Sequence, residues 1–145
     1  YPQIKDFKYA LVQKFNNYKM FVTCESIYLF PCAKSFEGAA CGTVNACAEH
    51  LCNKDYGFQN GENCIMYRPY DVNDFQKKVK YYQKNIDKLE KISENTLKFA
   101  NNHFSHKSIA NLVYHYVDTI HNNPKIEAFT LKRYLDEIKN KTTAV

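Results

Sequence analysis

The stretch that decides the reading of this chain is residues 24–64, CESIYLFPCAKSFEGAACGTVNACAEHLCNKDYGFQNGENC, which holds all six cysteines: Cys24, Cys32, Cys41, Cys47, Cys52 and Cys64. The intervals between them are 7, 8, 5, 4 and 11 residues, with no C-x-x-C pair. That ladder fits neither a zinc ribbon nor a zinc finger, and an even count in a short window reads as three disulfides formed in an oxidising compartment. Fifteen pairings are open. Pro31 and all four glycines fall in the same stretch, so it predicts loops, with one short helix from Thr43 to Lys54 on which Val44, Cys47, Ala48 and Leu51 share a face.

Outward from that window the pattern is helical. Ile4, Phe7, Leu11, Phe15, Tyr18 and Val22 recur every three or four residues and predict a helix over about 3–23. Asp71 offers an N-cap to a long helix near residues 71–103, carried by Phe75, Val79, Tyr82, Ile86, Leu89 and Ile92. At 1.5 Å per residue it would run for about 45 Å. Ser105 or Ser108 starts another helix that stops at Asn122 and Asn123, and Pro124 opens a last one with Ala128, Leu131, Leu135 and Ile138 on its inner face. The expected fold is therefore all-α: a disulfide-stapled, loop-rich half (1–70) packed on a cysteine-free half (71–145) of a bundle of about four to five helices, forming one domain over 1–145.

Composition narrows the function classes. The 145 residues carry 20 basic and 15 acidic side chains, no Trp, 12 Tyr and 10 Phe. No run of eighteen apolar residues exists, which excludes a membrane-spanning helix, and Tyr1 reads as a mature end left after a leader is removed. A net charge of +5 is too dilute for a nucleic-acid partner. Lys77, Lys80, Lys84, Lys88 and Lys91 form a basic stripe along the long helix, and with Tyr81 they make the expected partner surface. His103, His106, His115, Asp118 and His121 could be imagined around a metal, but on a straight helix His115 and His121 are related by a rotation of about 240°, so both could meet one ion only with help from Asp118 and a second element, and no metal or other cofactor is expected.

The string Cys47-Ala48-Glu49-His50-Leu51-Cys52, followed by Asp55 and Tyr56, resembles the active-site helix of secreted phospholipases A2. The resemblance spans Cys47 to Tyr56. It implies His50 as the base that activates water, with calcium polarising a lipid ester. Ala48 and Leu51 depart from that family's second cysteine and calcium-binding aspartate, and no glycine-rich calcium loop precedes them.

No phosphate loop, catalytic triad order or H-E-x-x-H occurs, so the sequence reads as a non-enzyme. The expected function is a secreted, disulfide-stabilised binding protein, of effector, inhibitor, salivary or venom type, which recognises a protein partner through a rigid face. The alternatives are a carrier of a small apolar ligand, a degenerate phospholipase A2-like protein, and an excised receptor or antigen ectodomain. Asn140-Lys141-Thr142 is an N-glycosylation sequon consistent with an extracellular address.

Overall fold

A computed structural model describes residues 7–23 and 29–122, without the side chains of 7–9. The elements run α1 (Phe7–Asn16), β1 (Met20–Val22), α2 (Ala33–Ala40), β2 (Val44–Ala48), α3 (Leu51–Asp55), β3 (Ile65–Tyr67), α4 (Val72–Lys84), α5 (Ile86–Phe104) and α6 (His106–Asn122). The three strands are parallel in the order β1-β2-β3, with Val22 beside Ala46 and Ala48 beside Tyr67. The fold is mixed α/β. The expected all-α bundle is overturned.

Each difference has a local cause. The first helix ends at Asn16, after which the N–H of Tyr18 closes onto the carbonyl of Phe15 at 3.0 Å and residues 20–22 join the sheet. Residues 44–48, expected as helix, are the central strand, and all five are buried. A parallel strand covered on both faces loses the in-out alternation by which strands are recognised. The glycines of FEGAACG serve a helix, α2, where loop was expected. A Cβ on Gly38 would lie 2.7 Å from Cζ of Phe21 and 3.2 Å from Phe15, so this helix reaches its packing distance only with glycine there. Gly42, at φ +73°, then turns the chain out of α2 into β2.

The long helix is two helices. Asn85 leaves helical geometry at φ −118° and ψ 67°, and its amide donates to the carbonyl of Tyr81 at 2.7 Å. Such side-chain bonds compete with the helical ladder. The expected Asp71 cap is present, its carboxylate accepting the N–H of Asp74 at 2.8 Å. Ser105 opens α6 by accepting the N–H of Ser108 at 3.2 Å, and the helix is described as far as Asn122. The helix expected from Pro124 and the sequon at Asn140 lie outside the described residues.

The disulfide scaffold is also overturned. Cys32, Cys41, Cys47, Cys52 and Cys64 are free thiols with no pair at bonding distance, and Cys24 lies outside the described residues. Cys47 and Cys64 act as small core residues, as buried free cysteines commonly do. The hydrogen bond from Cys47 and then burial push the Cys64 thiol far above its ordinary range, so it stays neutral.

The sheet is covered on both faces. On one, Val44, Ala46 and Ile65 meet Leu89 and Ile92 of α5, flanked by Met20, Phe75 and Tyr82. On the other, Cys47, Cys64 and Met66 meet Phe58, flanked by Phe36, Tyr56 and Phe99. The same helix, α5, feeds both faces because it crosses the amino ends of the strands. Ser93 donates to the carbonyl of Gly42, Thr96 to that of Asn63 at 2.5 Å, and Asn95 to that of Glu62 at 3.1 Å. One edge of the sheet is thus closed by a helix. The carboxyl edge remains for chemistry. On the outer side of β3, Met66 has its N–H bound by Asn60 at 2.8 Å and its carbonyl by Lys78 at 2.5 Å.

Candidate functional site at the carboxyl edge of the sheet

In open parallel sheets ligands bind outside the carboxyl ends of the strands, where successive β-to-α loops converge. Here that edge collects the ends of β1, β2 and β3 with the loops that follow. Glu49 donates its N–H to the carbonyl of Tyr67 at 2.8 Å and so ties the ends of β2 and β3 together. His50 comes next in an extended conformation, φ −125° and ψ 152°, at the start of α3. The histidine singled out in the sequence is therefore at the end of the central strand, not in the middle of a helix.

Beyond β3 the chain turns through Arg68-Pro69-Tyr70-Asp71, closed by the N–H of Asp71 on the carbonyl of Arg68 at 3.1 Å. Proline in second place and a positive φ in third are the marks of a type II turn, which normally takes glycine third. This chain places Tyr70 there at φ +62°, with 96% of its surface exposed. A bulky side chain in left-handed backbone costs roughly 1–2 kcal/mol. The turn presents an aromatic ring at a strained position beside the strand ends. Tyr70, Tyr67, Phe75, Val72 and Asp71 line a cavity of about 260 Å³ with Val22 at the end of β1. The rings of Tyr67 and Phe75 meet edge to face with centroids 5.0 Å apart.

Ion pairs brace this corner. Arg68 meets Asp71 at 2.9 Å, Lys78 meets Asp74 at 3.1 Å, and Lys54 meets Glu49 at 2.7 Å. The Lys54 ammonium, through a hydrogen bond and its charge, holds the Glu49 carboxyl below the usual carboxylate range. Asp74 is held low first by the N–H of Arg68 at 2.8 Å and then by Lys78. Since the folded form gives up this proton more readily than the unfolded chain, the stabilisation is complete above the unfolded value of about 3.9. It is lost as pH falls through the lower folded value. Asp74→Asn is expected to flatten the fall in unfolding free energy between about pH 4 and pH 2; urea titrations at stepped pH check this, and equal slopes for the two proteins would refute the assignment.

On the other side of the edge stands the N-terminus of α2. Cys32 occupies the capping position without a side-chain cap bond to the helix. Burial pushes its thiol up. The hydroxyl of Thr23 at 3.0 Å, with the backbone N–H groups of Ser35 and Lys34, outweighs that and sets the thiol below its ordinary range. Buried Ser35 in turn accepts from the amide of Asn45 at 3.1 Å. The start of α2 is thus an electropositive point at which backbone donors face a negative group.

The other sequence-derived residues do not join this edge. Lys77, Lys80 and Lys84 are exposed on α4, and Lys88 and Lys91 on α5, divided by the break at Asn85. Lys88 reaches back over it to the hydroxyl of Tyr81, with its ammonium 5.1 Å from that ring's centroid. His115, Asp118 and His121 lie on α6, and among the described residues no three metal-ligating side chains cluster. No described helix is long and apolar enough to cross a membrane. The turn bearing Tyr70 was missed in the sequence, although Pro69 just before a capped helix was its signal.

A family model described as glycosyl transferase-like matches residues 6–113, more than half of the chain. No curated protein and no solved structure matches it. The parallel sheet and the free thiols correct the picture of a disulfide-bonded, all-α domain. No sulfur bridge joins the described cysteines, and the exclusion of catalysis finds no support in this family.

Proposed function

The chain belongs to the glycosyl transferase-like family, and from that premise we propose that its carboxyl edge binds a phosphate-activated sugar for transfer to an acceptor hydroxyl. One observation carries the reading. All three parallel strands end at one open edge, where the start of α2 and an aromatic cavity flank the end of the central strand, while α5 covers the opposite edge. The positive end of α2 and the charge of the exposed Lys34 are the features that suit the phosphate leaving group. Tyr70 and Tyr67 hold a planar or ring portion of the donor. His50, just past the end of the central strand, is the candidate base that takes the proton of the acceptor hydroxyl as its oxygen bonds the anomeric carbon and the carbon–oxygen bond to phosphate breaks.

Calorimetric titration with a panel of nucleoside diphosphate sugars, followed by amide shift mapping, tests the proposal. Binding that moves Thr23, Lys34, Arg68 and Tyr70 is the expected result. Failure of every donor to bind, or binding mapped onto α6, would overturn it.

A further inference from the structure

A second cavity, of about 220 Å³, lies at the opposite edge of the sheet between the turn at residues 57–63 and α5. We propose that it is a carbohydrate-binding site for a single pyranose unit, separate from the carboxyl edge and independent of the transfer reading. Its frame is rigid before any ligand arrives. Asn63, buried, uses both ends of its amide inside the turn, accepting the N–H of Gln59 at 2.7 Å and donating to the carbonyl of Gly57 at 3.0 Å. Thr96 and Asn95 then fasten the backbone of Asn63 and Glu62 to α5. A pre-set frame of this kind avoids the ordering cost of binding.

The lining suits a sugar. Phe99 gives the cavity an aromatic wall, held in place by Phe58 at 5.3 Å and Phe104 at 5.2 Å between ring centroids. A pyranose has one face of C–H groups to set against such a ring. Around it stand Gln59, Glu62, Asn95, Lys98 and His103, whose ring lies 5.3 Å from that of Phe99. Planar amide and carboxylate groups suit the paired hydroxyls of a sugar. Glu62 and Lys98 bring opposite formal charges to the lining, which favours a neutral ligand over a phosphate. The volume is below the roughly 300–1,000 Å³ of sites for drug-sized molecules, which limits the occupant to about one ring.

Amide shift mapping with methyl glucoside, methyl galactoside, methyl mannoside and a methyl trisaccharide tests this. Saturable shifts at Gly57, Asn63 and Asn95 are expected with at least one of them; the single rings bind equally well if a free sugar is the ligand, and the trisaccharide binds more tightly if the site reads a glycan end. The double variant Gln59→Ala/Glu62→Ala should weaken that binding at least tenfold at an unchanged melting temperature, because both side chains are exposed and the turn is held by their backbones. It should leave nucleoside diphosphate sugar binding untouched. No saturable shift with any probe, the same shifts with inorganic phosphate alone, or full binding in the double variant would overturn the proposal.

Discussion

Phe58→Ala is expected to remove about 3–5 kcal/mol of unfolding free energy, the range for deleting a buried phenyl ring. Only 1% of Phe58 is exposed, and its ring packs on Phe36 at 5.7 Å and Phe99 at 5.3 Å between centroids. It joins the loop after α3 to the sheet through Cys47, Cys64 and Met66 and to α5 through Phe99. The hole left behind would be walled by rigid rings that collapse poorly onto it. Domains of this size are stable by only about 5–15 kcal/mol, so the variant should sit near the threshold of folding. Urea denaturation measures the loss, with Tyr114→Ala as the control: Tyr114 is 75% exposed, and truncating it should change stability by no more than about 0.5 kcal/mol. A loss at Phe58 of less than about 1 kcal/mol would mean that the aromatic cluster is not the core described here.

Tyr70→Gly should separate stability from function. Glycine accepts the left-handed backbone that tyrosine endures, so unfolding free energy should hold steady or rise by up to about 1 kcal/mol, the strain relieved being partly offset by chain entropy. Donor affinity should fall about tenfold or more, because stacking on an aromatic ring is worth about 1–3 kcal/mol. Measuring both quantities on one preparation decides the matter. A drop in stability would show that the ring packs against the protein, and unchanged affinity would remove it from the donor site.

The two halves of the molecule differ in how plainly their sequences announce them. In α5 and α6 the polar and apolar residues keep a helical period, and Asp71 marks the start of α4 by chemistry that needs no tertiary partner. The sheet carries no such mark. Met20–Val22 and Ile65–Tyr67 are three residues long, too short to show a period, and Val44–Ala48 is buried throughout, so its small residues fit a helical face equally well. The six cysteines misled for a related reason. Cys47 and Cys64 fill the core among rings and Cys32 and Cys41 stand at the two ends of α2, and nothing in their spacing tells such roles from a bridge. At the carboxyl edge, His50 was visible as a residue but was assigned to the wrong element. Tyr70 was invisible as a site because its significance is its backbone angle.

The two plugs on Met66 give the sheet a direction. A neighbouring chain that tried to add a strand beyond β3 would have to evict Asn60 from the N–H and Lys78 from the carbonyl, and it would find only three residues to pair with. Covering a border strand from a neighbouring helix and loop is a recognised guard against such intruders. Lateral extension beside β3, and fibril-like stacking from that flank, is therefore blocked at its first step.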